Sequence, residues 1–270
     1  MGVFDSGFGG LTVARAIVDQ LPHEDIIYLG DTAHAPYGPR SIAEVRRYAL
    51  ACLDELAGMG VKALVIACNT ASSAVLADAR ERYSIPVVDV VVPAAKQAVR
   101  VSRSGHVAVL CTEATATSGS YDNTVTIAPG ATLTTIVCPR FVEFVEAGVT
   151  SGPELLDVAR EYLAPLIGSN VDTVILGCTH YPLLSGVISY VLGGEVTLVS
   201  SASACADETY ATLTRAGLVR HDHEGGTKRF LTTGEPERFA AVGRRLIGDL
   251  IGTAESVDLS GLTLGERGVG

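Results

Sequence analysis

Two short segments of the chain share one pattern, and this repetition constrains the fold more than any other feature. Residues 64–66 and 174–176 are apolar, β-branched-rich runs with the length of a buried strand. A small residue, a cysteine and short polar residues follow each run, and such residues suit the first turn of a helix. The two continuations are Ala67-Cys68-Asn69-Thr70 and Gly177-Cys178-Thr179-His180. We therefore predict two equivalent strand-to-helix turns, each carrying a thiol.

Strand-like runs alternate with helix-like segments along the chain, which predicts an α/β fold with mostly parallel sheets. The 270 residues, of which 47% are hydrophobic, are enough for two pseudo-symmetric α/β lobes with their own cores. We expect residues 1–92 with 205–270 in the first lobe and residues 93–204 in the second. Because ligands bind at the carboxyl ends of parallel strands, the active site is expected in the cleft between the lobes.

Local patterns also predict where several elements begin and end. Ser41 and Glu44 form a capping box at the start of a helix. Residues 86–92 are predicted as one strand, and Pro93 is predicted to begin the next helix. Residues 236–251 are predicted as a helix, and the polar, glycine-rich residues 252–270 as a frayed end.

A glycine-rich turn follows the first predicted strand, and it matches no nucleotide-binding motif. Thr12 stands where G-x-G-x-x-G requires its third glycine, and no G-K-[S/T] sequence occurs. Asp5 and Ser6 end the strand, where the glycines allow the backbone to approach a small ligand. Asp5 also suits a helix N-cap.

Charge balance and cysteine spacing disfavour several classes of protein. The net charge of −10 disfavours a general nucleic-acid surface, which needs clustered Lys and Arg. No apolar run reaches the about 18–20 residues of a membrane span, and we expect no export leader. The six cysteines form no C-x-x-C pair, so no metal site is predicted, and we expect reduced thiols in a cytoplasmic protein. None of the three lysines follows a strand end, so no pyridoxal group and no other cofactor is expected.

Two matched thiols suit a reaction that inverts a carbon centre. One group removes a proton from one face of the carbon, and the other delivers a proton to the opposite face. A thiol suits both steps, because its ordinary pKa is about 8.5 and neighbours can lower it. His180 is placed to tune Cys178, and Asp5 is placed to tune Cys68. The candidates for binding a substrate carboxylate at the two helix starts are Asn69, Thr70 and Thr179.

Five motifs together resemble the glutamate racemase family, and they occur in that family's order. They are Asp5-Ser6-Gly7, Gly9-Gly10-Leu11-Thr12-Val13, Pro36-Tyr37-Gly38, Cys68-Asn69-Thr70-Ala71 and Gly177-Cys178-Thr179-His180-Tyr181-Pro182. The resemblance covers the chain from its start to about residue 250. It implies a cofactor-independent amino-acid racemase with two α/β lobes and the active site between them.

The resemblance also implies roles for particular residues. Cys68 and Cys178 are implied as the acid/base pair, with Asp5, His180 and Glu146 assisting the thiols. The residues implied to bind glutamate are Asp5, Ser6, Pro36, Tyr37, Gly38, Asn69, Thr70, Thr112, Thr115, Thr179 and His180. A homodimer that binds glutamate and supplies D-glutamate for peptidoglycan is expected. Residues 111–116 and Phe8 depart from the usual family pattern.

Other functions are compatible with the same residues. An aspartate or hydantoin racemase would share both thiols, whereas a related decarboxylase keeps only one. Cys178 and His180 would suit a hydrolase dyad, but a hydrolase leaves Cys68 without a role. A non-catalytic two-lobed binding protein has no use for paired thiols. Buried structural cysteines are the remaining interpretation, and we assign Cys111 to it, because that strand end lacks the shared pattern.

Overall fold

The computed structural model describes residues 1–221 and 225–259, and their strands form two separate sheets. The strands are β1 Gly2–Asp5, β2 Ile26–Gly30, β3 Leu64–Ile66, β4 Val87–Asp89, β5 His106–Cys111, β6 Thr132–Val137, β7 Thr173–Gly177, β8 Thr197–Ser200, β9 Lys228–Thr232 and β10 Glu255–Ser256. The six-stranded sheet has the order β10-β9-β2-β1-β3-β4, and the four-stranded sheet has the order β6-β5-β7-β8. Every strand pair in both sheets is parallel. The predicted fold of two α/β lobes with parallel sheets is confirmed.

Helices connect the strands and cover the faces of both sheets. They are α1 Leu11–Gln20, α2 Ile42–Gly58, α3 Asn69–Arg82, α4 Val91–Val101, α5 Glu113–Ser118, α6 Ser120–Val125, α7 Pro139–Glu146, α8 Pro153–Leu163, α9 Ser185–Leu192, α10 Ser201–Arg215 and α11 Pro236–Ile247. Short 3₁₀ turns occur at Ala164–Leu166, Tyr181–Leu184 and Gly248–Leu250. The predicted capping box of Ser41 and Glu44 is present at the start of α2. None of the described helices has both the length and the apolar content that crossing a membrane requires.

Strand alternation divides each lobe's core between the two faces of its sheet. In β1, Val3 belongs to the cluster on one face and Phe4 to the cluster on the other. In β7, Val174 and Ile175 separate in the same way. Burying a side chain of this size stabilises the fold by about 1.5–3 kcal/mol. Both faces of each sheet are therefore packed, which is the usual environment of parallel strands.

The chain passes between the lobes twice, and the first crossing corrects one prediction. The strand predicted over residues 86–92 is wrong beyond Asp89, because β4 ends there and α4 begins at Val91. The Asp89 carboxylate accepts hydrogen bonds from the backbone N–H groups of Val91 and Val92, at 2.8 and 2.9 Å. This cap starts the helix two residues before Pro93. The second crossing leads from β8 directly into α10.

Other element boundaries also differ from the predictions. Residues 113–125 form the short helices α5 and α6, which were not predicted. The last predicted helix ends at Ile247 and not at residue 251, because Gly248 adopts a positive φ of 65°. The predicted frayed end contains the short edge strand β10, while residues 260–270 lie outside the described residues. The lobe boundaries at residues 92 and 205 stay a prediction.

Candidate active site

A small cavity opens between the carboxyl ends of β1 and β3 in the first lobe and of β5 and β7 in the second. Its volume is about 250 Å³, below the roughly 300–1,000 Å³ typical of pockets for drug-sized ligands. The lining residues are Ser6, Gly7, Ala35, Pro36, Tyr37, Gly38, Pro39, Cys68, Asn69, Thr70, Thr112, Glu113, Pro139, Val142, Glu143, Glu146, Cys178, Thr179 and His180. All the predicted site residues line this cavity except Asp5 and Thr115. The cavity suits a small polar metabolite.

Cys68 lies at the end of β3 and caps the N-terminus of α3. Its Sγ accepts a hydrogen bond from the backbone N–H of Ala71 at 3.4 Å and donates to Ser6 Oγ at 3.4 Å. The side chain is only 6% exposed. Burial, with a smaller contribution from the charge of Asp5, raises the pKa of Cys68 to about 12, although Ser6 and Ala71 oppose this shift. Cys68 is therefore a protonated thiol at neutral pH.

Cys178 ends β7 in the second lobe and reaches the same cavity. It is 7% exposed, and its Sγ lies 3.7 Å from His180 Nδ1. A 3₁₀ turn over Tyr181–Leu184 follows this cysteine, and α9 then covers Ser185–Leu192, so Cys178 does not cap an α-helix as Cys68 does. The two thiols therefore differ in their partners, with a helix N-terminus at Cys68 and an imidazole at Cys178.

His180 connects Cys178 to the carboxylate of Glu146. The His180 Nε2 atom lies 3.3 Å from Glu146 Oε1, which is close enough for an ion pair but outside the angular range of a hydrogen bond. Burial disfavours the charged imidazole, but Cys178 and Glu146 outweigh it and raise the pKa of His180 to about 10. An imidazolium beside Cys178 stabilises negative charge on that sulfur.

Asp5 lies behind the cavity wall and does not line the cavity. Its Oδ2 accepts a hydrogen bond from the backbone N–H of Gly7 at 2.8 Å, and the Tyr28 hydroxyl lies 3.4 Å away, while Oδ1 has no hydrogen-bond partner. The residue that caps α1 is Gly10, with no side-chain cap, so Asp5 is not the N-cap of that helix. Burial raises the pKa of Asp5, although neighbouring backbone N–H groups and His180 oppose this shift. The carboxylate is within electrostatic range of both Cys68 and His180.

Three threonine hydroxyls meet where α3 of the first lobe faces α5 of the second. Thr70 Oγ1 lies 2.9 Å from Thr112 Oγ1 and 3.2 Å from Thr115 Oγ1, and the last two are 3.1 Å apart. Thr70 and Thr112 line the cavity, whereas Thr115 lies behind them. Each hydroxyl can donate or accept, so the cluster can donate hydrogen bonds to a carboxylate.

The loop that carries Pro36, Tyr37 and Gly38 forms another wall of the cavity. The Tyr37 hydroxyl donates to Asp31 Oδ2 at 2.6 Å, so the ring and backbone of Tyr37 form the wall while its polar end is anchored elsewhere. The carbonyl of Gly38 accepts a hydrogen bond from the backbone N–H of Ala114 at 3.1 Å. This bond ties the loop of the first lobe to the start of α5 in the second.

Seven lining residues were not among the predicted site residues. They are Gly7, Ala35, Pro39, Glu113, Pro139, Val142 and Glu143. Gly7, Ala35, Pro39 and Glu113 directly adjoin predicted residues in sequence, a signal that could have found them. The other three lie on α7, where Glu146 was the only residue predicted to belong to the site. Among the lining residues that the structure describes, none is a lysine or an arginine. The groups in this cavity that could hold an anionic ligand are therefore hydroxyls, backbone N–H groups and His180.

Comparison with known proteins agrees with this geometry. The Asp/Glu/Hydantoin racemase family matches residues 6–209. A protein named glutamate racemase from a Parafrankia species is 62% identical over 258 residues, which cover 95% of this chain and 93% of the relative. The crystal structure of a glutamate racemase isoform from Bacillus anthracis superimposes with a TM-score of 0.92 at 39% identity, covering 96% of this chain and 97% of that one. The crystal structure of the Francisella tularensis glutamate racemase in complex with D-glutamate gives 0.90 at 33% identity, covering 97% and 98%.

Two α/β lobes with a cavity between their strand ends and one thiol from each lobe, together with these matches, define the class as an amino-acid racemase. The chain belongs to the Asp/Glu/Hydantoin racemase family. The prediction of an amino-acid racemase is thus confirmed, and so is the resemblance to glutamate racemases.

Proposed function

We propose that the protein interconverts L- and D-glutamate, with Cys68 and Cys178 as the two acid/base groups. One observation carries this proposal: two nearly buried thiols, each at a strand end of a different lobe, line the same small cavity. A cavity that holds one small molecule between two thiols suits proton transfer at both faces of one carbon. The relative at 62% identity is named glutamate racemase, and a similar structure holds D-glutamate, which supports glutamate as the substrate.

The proposed reaction conserves protons and needs no external reductant or oxidant. In either direction, one sulfur begins as a thiolate and accepts the α-proton of glutamate, which leaves a carbanion at the α-carbon. The other sulfur begins as a thiol and donates its proton to the opposite face of that carbon. The two sulfurs finish with exchanged protonation states. Each cysteine is therefore the base in one direction and the acid in the other, and His180, whose Nδ1 lies 3.7 Å from Cys178 Sγ, is placed to stabilise negative charge on that sulfur.

The polar groups of the cavity suit the remaining parts of glutamate. The N-terminus of the 14-residue helix α3 opens at Cys68, where its dipole favours negative charge. The hydroxyls of Thr70 and Thr112 line the same wall. We propose that these groups, with Asn69 and Thr179, hold the carboxylates, that Ser6 and residues 36–38 complete the binding site, and that Thr115 acts through its bond to Thr70. Asp5 and Glu146 are proposed to assist Cys68 and the Cys178–His180 pair, respectively.

The cellular role follows from the proposed product. D-glutamate is a component of peptidoglycan, and we propose that the enzyme supplies it in the cytoplasm as a homodimer. All six cysteines are free, which supports a reducing compartment.

Incubation with L-glutamate in deuterium oxide tests the proposed substrate. We expect circular dichroism to decay towards zero while proton magnetic resonance shows deuterium entering the α-position. L-aspartate and a 5-substituted hydantoin serve as comparison substrates and are expected to react far more slowly. A glutamate solution that keeps both its optical activity and its α-proton would exclude the proposal.

Alanine substitutions test the two acid/base groups. We expect Cys68→Ala and Cys178→Ala each to lower kcat by about 10²–10⁴-fold, the usual contribution of one acid/base group. Cys205→Ala is the matched control, because Cys205 is a fully buried cysteine in the core of the first lobe and does not line the cavity. Near-normal turnover in either active-site variant would show that the acid/base pair is wrong.

A further inference from the structure

Tyr121 is a fully buried side chain that contacts the neighbours of both thiols. It lies on α6 in a core cluster of the second lobe and is 2% exposed. A Cβ atom built on Gly177 would stand 3.1 Å from Tyr121 Cε2, so the ring packs directly against the residue before Cys178. The same Cβ would lie 2.6 Å from Val109 Cγ2 and 2.8 Å from the carbonyl oxygen of Leu110. Only glycine fits between β5 and the tyrosine ring at this position.

The hydroxyl of Tyr121 contacts the turn that carries the other thiol, Cys68. It donates a hydrogen bond to Asn69 Oδ1 at 2.6 Å, and Asn69 directly follows Cys68. Both residues are buried. Burial also raises the pKa of Tyr121, which keeps the hydroxyl protonated and able to donate. One rigid side chain thus spans from the backbone beside Cys178 to the side chain beside Cys68.

A second, longer path joins the same two turns. Asn69 Nδ2 lies 3.5 Å from Ser201 Oγ, at the first residue of α10. Ser201 Oγ in turn donates to the carbonyl oxygen of Leu176 at 3.0 Å, and Leu176 lies two residues before Cys178. Both polar ends of the Asn69 amide are therefore directed at the second lobe.

We propose that Tyr121 is a positioning residue that holds the Cys68 and Cys178 turns at the separation needed for inversion. This inference rests on the two-thiol function proposed above. The physical reason is that proton transfer depends steeply on the distance and direction between the reacting atoms. Tyr121 touches neither sulfur, so it acts through Asn69 and Gly177.

The substitution Tyr121→Phe tests this role, because it keeps the ring against Gly177 and removes only the bond to Asn69. We expect kcat to fall on the order of tenfold, since a displacement of about 1 Å can cost up to 10²-fold in rate. The KM for glutamate is expected to rise by a smaller factor than kcat falls, because Asn69 keeps its bond to Ser201 and the other lining residues are unchanged. A loss of binding alone would instead raise KM and leave kcat unchanged.

Isotope exchange distinguishes a positioning role from a general loss of protein stability. Lower stability reduces the amount of active enzyme but does not change the ratio of exchange to racemisation. In deuterium oxide, a carbanion that the opposite thiol reprotonates slowly lives longer, so the first thiol has time to exchange the proton it removed for solvent deuterium and to return deuterium to the original face of the carbon. The ratio of deuterium in recovered L-glutamate to D-glutamate formed is therefore expected to rise by a factor similar to the fall in kcat. Tyr83→Phe is the matched control, because the Tyr83 hydroxyl donates to Asp54 at 2.7 Å, far along α3 from the thiols, and its loss should leave the ratio unchanged.

Crystal structures of the wild type and Tyr121→Phe test the positioning role of Tyr121 independently of which amino acid is the substrate. We expect the distance between Cys68 Sγ and Cys178 Sγ to change on the order of 1 Å. If Tyr121→Phe does not fold, Ser201→Ala interrupts the second path and is expected to raise the same exchange ratio. An unchanged sulfur separation or an unchanged exchange ratio overturns the positioning role, whichever amino acid the enzyme uses.

Discussion

At the scale of single residues, the two thiols occupy different electrostatic environments. Cys68 has a hydroxyl, a backbone N–H and a nearby buried carboxylate around it, whereas Cys178 has an imidazole. In the proposed reaction, the two sulfurs that exchange acid and base roles therefore have unlike surroundings.

Protonation of His180 predicts how stability depends on pH. The pKa of His180 is raised from an ordinary 6.5 to about 10 in the folded protein, because Cys178 and Glu146 outweigh the effect of burial. Between those two pH values the folded protein keeps a proton that the unfolded chain has released. The free energy of unfolding is therefore expected to fall as pH rises across this interval, by at most about 1.4 kcal/mol per pH unit.

Urea denaturation of the wild type and His180→Gln at several pH values measures this contribution. The glutamine side chain carries no titrating proton, so its profile is expected to be flatter over the same interval. Parallel profiles for the two proteins would show that His180 is not protonated in the folded state.

At the scale of secondary structure, capping groups decide boundaries that hydrophobic pattern misses. Residues 86–92 are apolar and β-branched apart from Asp89, yet the Asp89 carboxylate binds the N–H groups that begin α4. A lone carboxylate within an apolar run is ambiguous in sequence, because its partners are set by the folded backbone. The short helices α5 and α6 lack a regular apolar stripe, and they are stabilised by packing that local sequence does not show.

The Asp89 cap predicts a measurable loss of stability. We expect Asp89→Ala to lower the free energy of unfolding by about 0.5–2 kcal/mol, because two backbone N–H groups at the start of α4 lose their acceptor. Asp89→Asn keeps one acceptor oxygen and is expected to lose less, which makes it the matched control. Equal urea midpoints for Asp89→Ala and the wild type would contradict the capping role.

The sequence predicts where the two thiols lie, but it does not predict the residues that hold the surrounding loops in place. Strand ends of parallel sheets meet along one edge, so Cys68 and Cys178 were expected together, and they line one cavity. Tyr121 and Asp31 reach the site through partners fixed only by the tertiary fold. Nothing in the sequence near Tyr121 indicates that its ring will rest on Gly177.

At the scale of the whole molecule, the two lobes approach so closely that the backbone of each contacts side chains of the other. Thr12 Oγ1 donates to the carbonyl oxygen of Thr179 at 3.0 Å. A Cβ atom built on Gly9 would collide with Thr179 Oγ1 and with the ring of His180. Gly9 therefore has no room for a side chain, because the second lobe occupies the space beside this turn.

This close approach predicts the effect of a single methyl group. We expect Gly9→Ala to lower kcat by roughly 10–10²-fold, because the turn and the Cys178 loop must separate to admit the new atom. Gly58→Ala is the matched control, since a Cβ there has no atom within 4 Å. Racemisation assays of both variants provide the measurement, and full activity in Gly9→Ala would contradict the tight contact.

The absence of lysine and arginine from the described cavity lining has a consequence for binding. An enzyme that captures an anion through exposed ion pairs loses affinity as dissolved electrolyte screens those charges. In the binding site proposed above, hydroxyls, backbone N–H groups and one enclosed imidazolium would make the contacts instead. Short, enclosed dipolar contacts are poorly screened, so the Michaelis constant for a dicarboxylate should vary little between dilute buffer and high ionic strength.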